Sequence, residues 1–232
     1  MRFTKLLACA VILVFFASLP AFSQTSTAKA PASSYDRTLL KPALLKDTAP
    51  DTYQVKFETT RGDFTVTVTR AWAPVGADRF YNLVKHHYYD GARFFRVLPN
   101  FVVQFGMSAY PPVTAAWDKA TIKDDPVTQR NKRGTLTFAK TSMPNSRTTQ
   151  IFINLKDNPS LDSQGFAAFA VVDSKGMNVV EMLYDQYGDN AGMDQDAIAK
   201  GGEEYLSKRW PKLDIIKSAT IIGGTASSTS KP

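Results

Sequence analysis

The chain of 232 residues predicts a mainly β fold, a closed or nearly closed antiparallel barrel with two amphipathic helices. Three features carry this. Short segments alternate apolar and polar residues with the period of a half-buried strand. Turn residues separate them, as at Arg61-Gly62-Asp63, Asp90-Gly91 and Pro99-Asn100. Only two stretches show a helical stripe, and many short strands with few helices suit a barrel. Hydrophobic residues make up 44% and charged residues 21%, which disfavours both a disordered chain and a multi-pass membrane protein.

Along the chain, Arg2 and Lys5 precede an apolar run from Leu6 to Leu19. The run is shorter than the roughly 20 residues of a spanning helix. Ala21-Phe22-Ser23 supplies small residues for a signal peptidase, so residues 1–23 read as a cleaved signal peptide. This predicts an exported protein, periplasmic or secreted, with no stable membrane insertion after cleavage. Cys9 is the only cysteine, and cleavage removes it. The mature chain then has no disulfide, cysteine nucleophile or thiolate metal site. Net charge falls from +7 to +5 on loss of Arg2 and Lys5. The basic residues are scattered rather than striped, so no nucleic-acid partner is expected.

Residues 24–47 are rich in Ser, Thr, Ala and Pro and read as a flexible spacer. Residues 48–223 form one domain, and residues 224–232 a disordered tail. Tyr53, Val55 and Phe57, then Phe64, Val66 and Val68, mark two strands joined by a tight hairpin. Pro74 opens a helix whose stripe is Phe80, Leu83 and Val84. Further strands are expected at 93–98, 101–106, 134–139, 150–155 and 166–172. Val179, Val180 and Leu183 stripe a second helix over 177–187, and Ser218-Ala219-Thr220-Ile221-Ile222 reads as a last strand. His86 and His87 are the only histidines; as neighbours on a helix they cannot share a face, so no metal site or cofactor is expected.

Neither a nucleophilic triad nor a Gly-rich phosphate loop is present. What the interior strands offer is Arg96, Gln104, Gln150 and aromatic residues. These bind rather than perform covalent chemistry. Rotation about an X–Pro bond needs only binding groups. Its barrier of roughly 18–20 kcal/mol comes from amide resonance. An apolar cup for the proline ring and an always-charged donor aimed at the imide nitrogen would lower it.

The segments "YYDGARFFRVLPNFVVQFG", "GTLTFA", "TTQIFIN", "SLDSQGFAAFAVV" and "GMNVVEMLYDQYG" resemble the cyclophilin-type peptidyl-prolyl isomerases, from about Tyr53 to Ile222. The resemblance implies a closed eight-stranded antiparallel barrel with a helix capping each open end. It implies isomerisation of X–Pro bonds in proline-containing polypeptide segments, by a monomer without cofactor. Arg96 matches the family's catalytic arginine, Phe101 the floor of its proline pocket and Gln104 the glutamine that orients substrate and arginine. Val102, Ala139, Lys140, Gln150, Phe152, Leu161 and Phe166 match substrate-binding positions. The chain departs from the family pattern in several places. Phe95 replaces a histidine before the arginine, Val102 a pocket methionine, Phe105-Gly106 a Gly-Gly pair, Lys140 an asparagine and Phe166 a pocket histidine. These departures keep open a reading as a non-catalytic binding module for Pro-containing segments. Two inserts, 107–133 and 189–217, resemble a bacterial subgroup; the second reads as helical.

Overall fold

The computed structural model describes residues 35–225. The predicted signal sequence, the first part of the spacer and the tail beyond 225 lie outside the described residues. Eight antiparallel strands form one curled sheet. They are β1 (Thr52–Thr59), β2 (Gly62–Thr69), β3 (Arg96–Val97), β4 (Val102–Phe105), β5 (Thr135–Phe138), β6 (Ile151–Asn154), β7 (Ala168–Val172) and β8 (Ile216–Thr225), in the spatial order β3-β4-β6-β5-β7-β2-β1-β8. The expected eight strands are all present, but the sheet is not closed. Its edge strands β3 and β8 do not pair with each other. The chain just before β3 instead meets β8 through an isolated bridge, Arg93 to Ile215, and hydrogen bonds of 2.8 Å from Gly91 N to Ile216 O and from Ile216 N to Ala92 O. The expected strand 93–98 shrinks to two residues. Pro99 ends it, having no N–H to offer a ladder, and Asn100 turns the chain with φ at 60°.

Period-2 alternation places Tyr53, Val55 and Phe57 of β1 opposite Val68, Val66 and Phe64 of β2, all buried. The Phe57 and Phe64 rings stack with centroids 4.9 Å apart, a cross-strand aromatic pair at the centre of the core. The hairpin between these strands uses both charges of its Arg61-Gly62-Asp63 tripeptide internally. Arg61 Nε donates to Asp214 Oδ2 at 3.0 Å, and Asp63 pairs with Lys56 at 2.9 Å.

Five α-helices are described: α1 (Pro74–Lys85), α2 (Pro111–Trp117), α3 (Pro159–Ser163), α4 (Gly176–Glu181) and α5 (Gln195–Arg209). α1 buries Phe80, Leu83 and Val84 on the sheet. Ala73 at its start has no capping side chain, so Asp125 caps it from afar, accepting from Val75 N at 2.9 Å and Gly76 N at 2.8 Å. Arg147 Nη1 donates to the same buried carboxylate at 2.9 Å. α4 is shorter than the expected 177–187, since Tyr184 N turns to Asp214 Oδ2 at 2.7 Å instead of continuing the helix. α5 fills the predicted helical insert and packs on α2, which lies in the other insert. It is kinked at Gly202, whose φ of 55° suits glycine. The Ala109 carbonyl and the Pro111 ring occupy the space a Cβ would need.

Residues 35–47, expected to be spacer, belong to the domain. They form two 3-10 turns, Arg37–Leu40 and Pro42–Leu44. Leu39 is 1% exposed, and Trp117 Nε1 of α2 donates to its carbonyl at 2.8 Å. Tyr35 and Tyr110 pack with ring centroids 5.0 Å apart. A Ser- and Ala-rich composition disguised a segment that buries one leucine against a distant tryptophan. At the other end β8 runs on to Thr225, two residues past the expected domain end at 223. No described helix is long and apolar enough to cross a membrane.

Candidate functional site

Residues opposite one another in adjacent antiparallel strands share a face of the sheet. Arg96 of β3 pairs with Gln104 of β4, which pairs on its other side with Phe152 of β6. The three therefore stand abreast across one end of the sheet. Around Phe152 lies an apolar cluster separate from the barrel core. Val102, Phe152 and Leu161 are its buried members, with Phe101, Ala139 and Phe166 packed against them. The Phe152 and Phe166 rings meet edge to face at 5.6 Å and 72°. Phe166 is 16% or more removed from no such contact elsewhere in the core, so the cluster forms a small cup of its own on the surface.

Local structure explains how each wall is held. The turn from Leu98 to Phe101 closes with Phe101 N donating to Leu98 O at 3.0 Å. The buried Asn158 then donates Nδ2 to Phe101 O at 3.1 Å, and Leu155 N donates to the same oxygen at 2.9 Å. Asn131 Nδ2 donates to Phe166 O and to Asp162 Oδ1, both at 2.8 Å, which ties the far wall to α3. The cup thus hangs on two buried asparagines whose hydrogen bonds are satisfied.

Over the rim stands the arginine. Its Cζ is 5.8 Å from the Phe101 ring centroid, within cation–π range. Nη1 donates to Gln104 Oε1 at 3.3 Å, and Nε to Asp189 Oδ1 at 2.5 Å. Arginine only donates, so Gln104 must turn its oxygen to it and its nitrogen away. That nitrogen donates to Gln150 Oε1 at 2.8 Å, and Gln150 Nε2 donates in turn to Gln195 Oε1 at 2.9 Å. Two N–H groups of the five on the guanidinium are used. The remainder are free to meet a ligand seated on the cup. With 26% of its side chain exposed, the arginine is half-sheltered, and hydrogen bonds made there are stronger than in open water.

Beyond Gln104 an open cavity of about 310 Å³ continues the groove, lined by Ala139, Lys140, Gln150 and Gln195 among others. Lys140 Nζ lies 5.4 Å from the Phe166 ring, at the rim between cup and cavity. All ten residues singled out in the sequence are thus gathered along one groove. Arg96, Phe101, Val102, Gln104, Phe152, Leu161 and Phe166 make the cup and its cation. Ala139 bridges to the cavity, where Lys140 and Gln150 stand. Sequence reasoning missed Asp189 and Gln195, which come from the C-terminal insert and carry no local signal. The histidines are engaged elsewhere, His86 with Asp36 at 2.7 Å and His87 with Asp90 at 3.1 Å. Among the described residues no group of three or more His, Cys, Asp or Glu side chains could hold a metal ion.

Comparison with known proteins places this groove in context. Residues 54–202 match the family model for cyclophilin type peptidyl-prolyl cis-trans isomerases. A peptidyl-prolyl cis-trans isomerase of Acinetobacter baylyi is 37% identical over 171 residues, covering 70% of this chain and 88% of that protein. Peptidyl-prolyl cis-trans isomerase B of Escherichia coli is 34% identical over 177 residues, covering 72% of this chain and 98% of the relative. Among solved structures, a Cryptosporidium parvum cyclophilin type isomerase, also crystallised in the presence of the dipeptide Ala-Pro, superposes with a TM-score of 0.54 at 19% identity over 74% of this chain and 99% of its own.

Proposed function

The chain belongs to the cyclophilin-type peptidyl-prolyl cis-trans isomerase family, and on that premise we propose how its groove turns the X–Pro bond. It is a peptidyl-prolyl cis-trans isomerase. The proline ring seats in the cup of Phe101, Val102, Phe152, Leu161 and Phe166. As the bond twists, amide resonance is lost and the imide nitrogen regains its lone pair. Arg96 donates to that nitrogen. The contact is stronger in the twisted state than in either planar isomer, so it lowers the barrier rather than merely binding substrate. A charged hydrogen bond of this kind contributes roughly 1.5–3 kcal/mol, one to two decades in rate. Gln104 holds the guanidinium, and Gln150 with Lys140 contacts the polypeptide on the cavity side. The observation that carries this reading is a cation with unspent donors 5.8 Å from the ring of an apolar cup set apart from the core. The test is isomerisation of a short X–Pro peptide by the purified protein. Acceleration saturating with peptide supports it; binding without acceleration would make the groove a capture module.

The same proposal includes export. Arg2, Lys5, the run from Leu6 to Leu19 and Ala21-Phe22-Ser23 support a cleaved signal, and the substrates would then be exported proteins during folding, met by a monomer in the periplasm or outside the cell. N-terminal sequencing of the protein from its native cells tests it. A chain beginning at Gln24 is expected, and an intact Met1 in the cytoplasm contradicts it.

A further inference from the structure

The insert between α4 and β8 is built against the arginine. Its 3-10 turn Asn190–Gly192 packs on the stem of Arg96. A Cβ at Gly192 would lie 3.1 Å from Arg96 Cβ and 3.3 Å from Phe95 Cδ2, so the turn sits there with no space for a side chain. Beneath the insert is a second small apolar core of Phe95, Met107, Ala191, Ile198, Leu206 and Leu213. Phe95 is the residue just before the arginine, and its buried ring anchors the insert to β3. The insert is therefore fixed relative to Arg96 by packing rather than laid loosely over it.

From that frame Asp189 reaches Nε of Arg96 at 2.5 Å, while Gln195, at the start of α5, reaches Gln150 at 2.9 Å. The hydrogen-bonded chain Asp189–Arg96–Gln104–Gln150–Gln195 thus begins and ends on the insert. Asp189 approaches on the stem side, at Nε. Both terminal nitrogens keep outward N–H groups, one on Nη1 and two on Nη2, for a ligand. A carboxylate at Nε and a carboxamide at Nη1 fix the guanidinium plane from two sides, where Gln104 alone would leave it free to swing about the contact.

We propose that Asp189 is a positioning residue for isomerisation. It aims the Arg96 guanidinium at the imide nitrogen, and the C-terminal insert is thereby part of the catalytic apparatus. This rests on the reading of Arg96 as the isomerising cation. Asp189 is 54% exposed and makes no other side-chain hydrogen bond among the described residues, so its removal costs little stability. A change in activity therefore reports on aim rather than folding.

The experiment is a double-mutant cycle in the X–Pro peptide assay with Asp189→Ala, Asp189→Asn, Arg96→Ala and the Asp189→Ala/Arg96→Ala pair, with thermal unfolding recorded for each. Asp189→Ala is expected to lower kcat/KM about tenfold, in kcat more than KM, since a small misplacement of a reacting group is costly. Asp189→Asn, whose amide oxygen still accepts from Nε, recovers most of that loss. In the Arg96→Ala background Asp189→Ala has no further effect. Wild-type activity in Asp189→Ala, or an equal loss from it with and without Arg96, overturns the proposal. So does a rise in activity, which would make the carboxylate a brake on the cation. If Arg96→Ala itself matches wild type, the reading of the cation fails and the positioning role fails with it; if Arg96→Ala is impaired while Asp189→Ala is not, only the positioning role falls.

Discussion

Arg96 and Gln104 are register partners in β3 and β4, and the guanidinium donates to the carboxamide oxygen at 3.3 Å. The carboxamide is in turn held by Gln150, so one side chain links the cation to the far side of the groove. Gln104→Ala frees one side of the guanidinium and leaves Gln150 without its donor. Loss of a hydrogen bond to a charged group predicts about a tenfold fall in kcat/KM. Peptide isomerisation measures it, and an unchanged value would show that Gln104 does not orient the arginine.

Activity is expected to be nearly flat between about pH 6 and pH 8, because arginine stays protonated and glutamine does not titrate. Both histidines are paired with aspartates outside the groove. Chelators should also leave the rate unchanged. A steep limb in the pH–rate profile of folded protein, or loss with EDTA, would demand acid–base or metal chemistry.

The docking of residues 35–47 predicts a cost for cutting Leu39 back. Leu39→Ala removes a buried side chain that lies over α2. Stability should fall by about 2–5 kcal/mol, read by urea unfolding, with peptide isomerisation at room temperature retained. An unshifted midpoint would return this segment to the role of a spacer.

Asp36 links the same segment to α1. Its hydrogen bond to His86, aided by that from Thr38 N, holds its pKa at about 2 rather than 3.8. A carboxylate whose folded value is depressed stabilises the fold above the unfolded value, and that contribution fades as pH falls from 3.8 toward 2. The stability gap between wild type and Asp36→Asn should therefore be wide at about pH 5 and narrow by about pH 3. Urea midpoints at the two values decide it; a constant gap would mean that the pairing does not depend on the charge.

Much of this was legible in the chain because it is written in local pattern. The alternation of β1 and β2 follows from one face packing and the other meeting solvent. The stripe of Phe80, Leu83 and Val84 follows from a helix lying on a sheet. The groove residues were legible together, through motifs that Arg96, Phe101 and Gln104 share with a family. What was not legible depends on distant partners. Leu39 looks like part of a Ser- and Ala-rich spacer until Trp117 is brought to it. Closure was overread because 93–98 has the composition of a strand while Pro99 and Asn100 end it early. Asp189 and Gln195 sit in a polar stretch with nothing local to mark them; only the packing of Phe95, Ala191 and Ile198 carries them to the groove.

The role of Arg96 rests finally on one number, kcat/KM for a short X–Pro peptide with Arg96→Ala against wild type. The side chain is on the surface side of the sheet, so the variant should fold, with circular dichroism and unfolding midpoint unchanged. A loss of roughly one to two decades is predicted, the kinetic equivalent of one charged hydrogen bond made chiefly in the twisted state. A folded Arg96→Ala protein that isomerises the peptide as fast as wild type would contradict it.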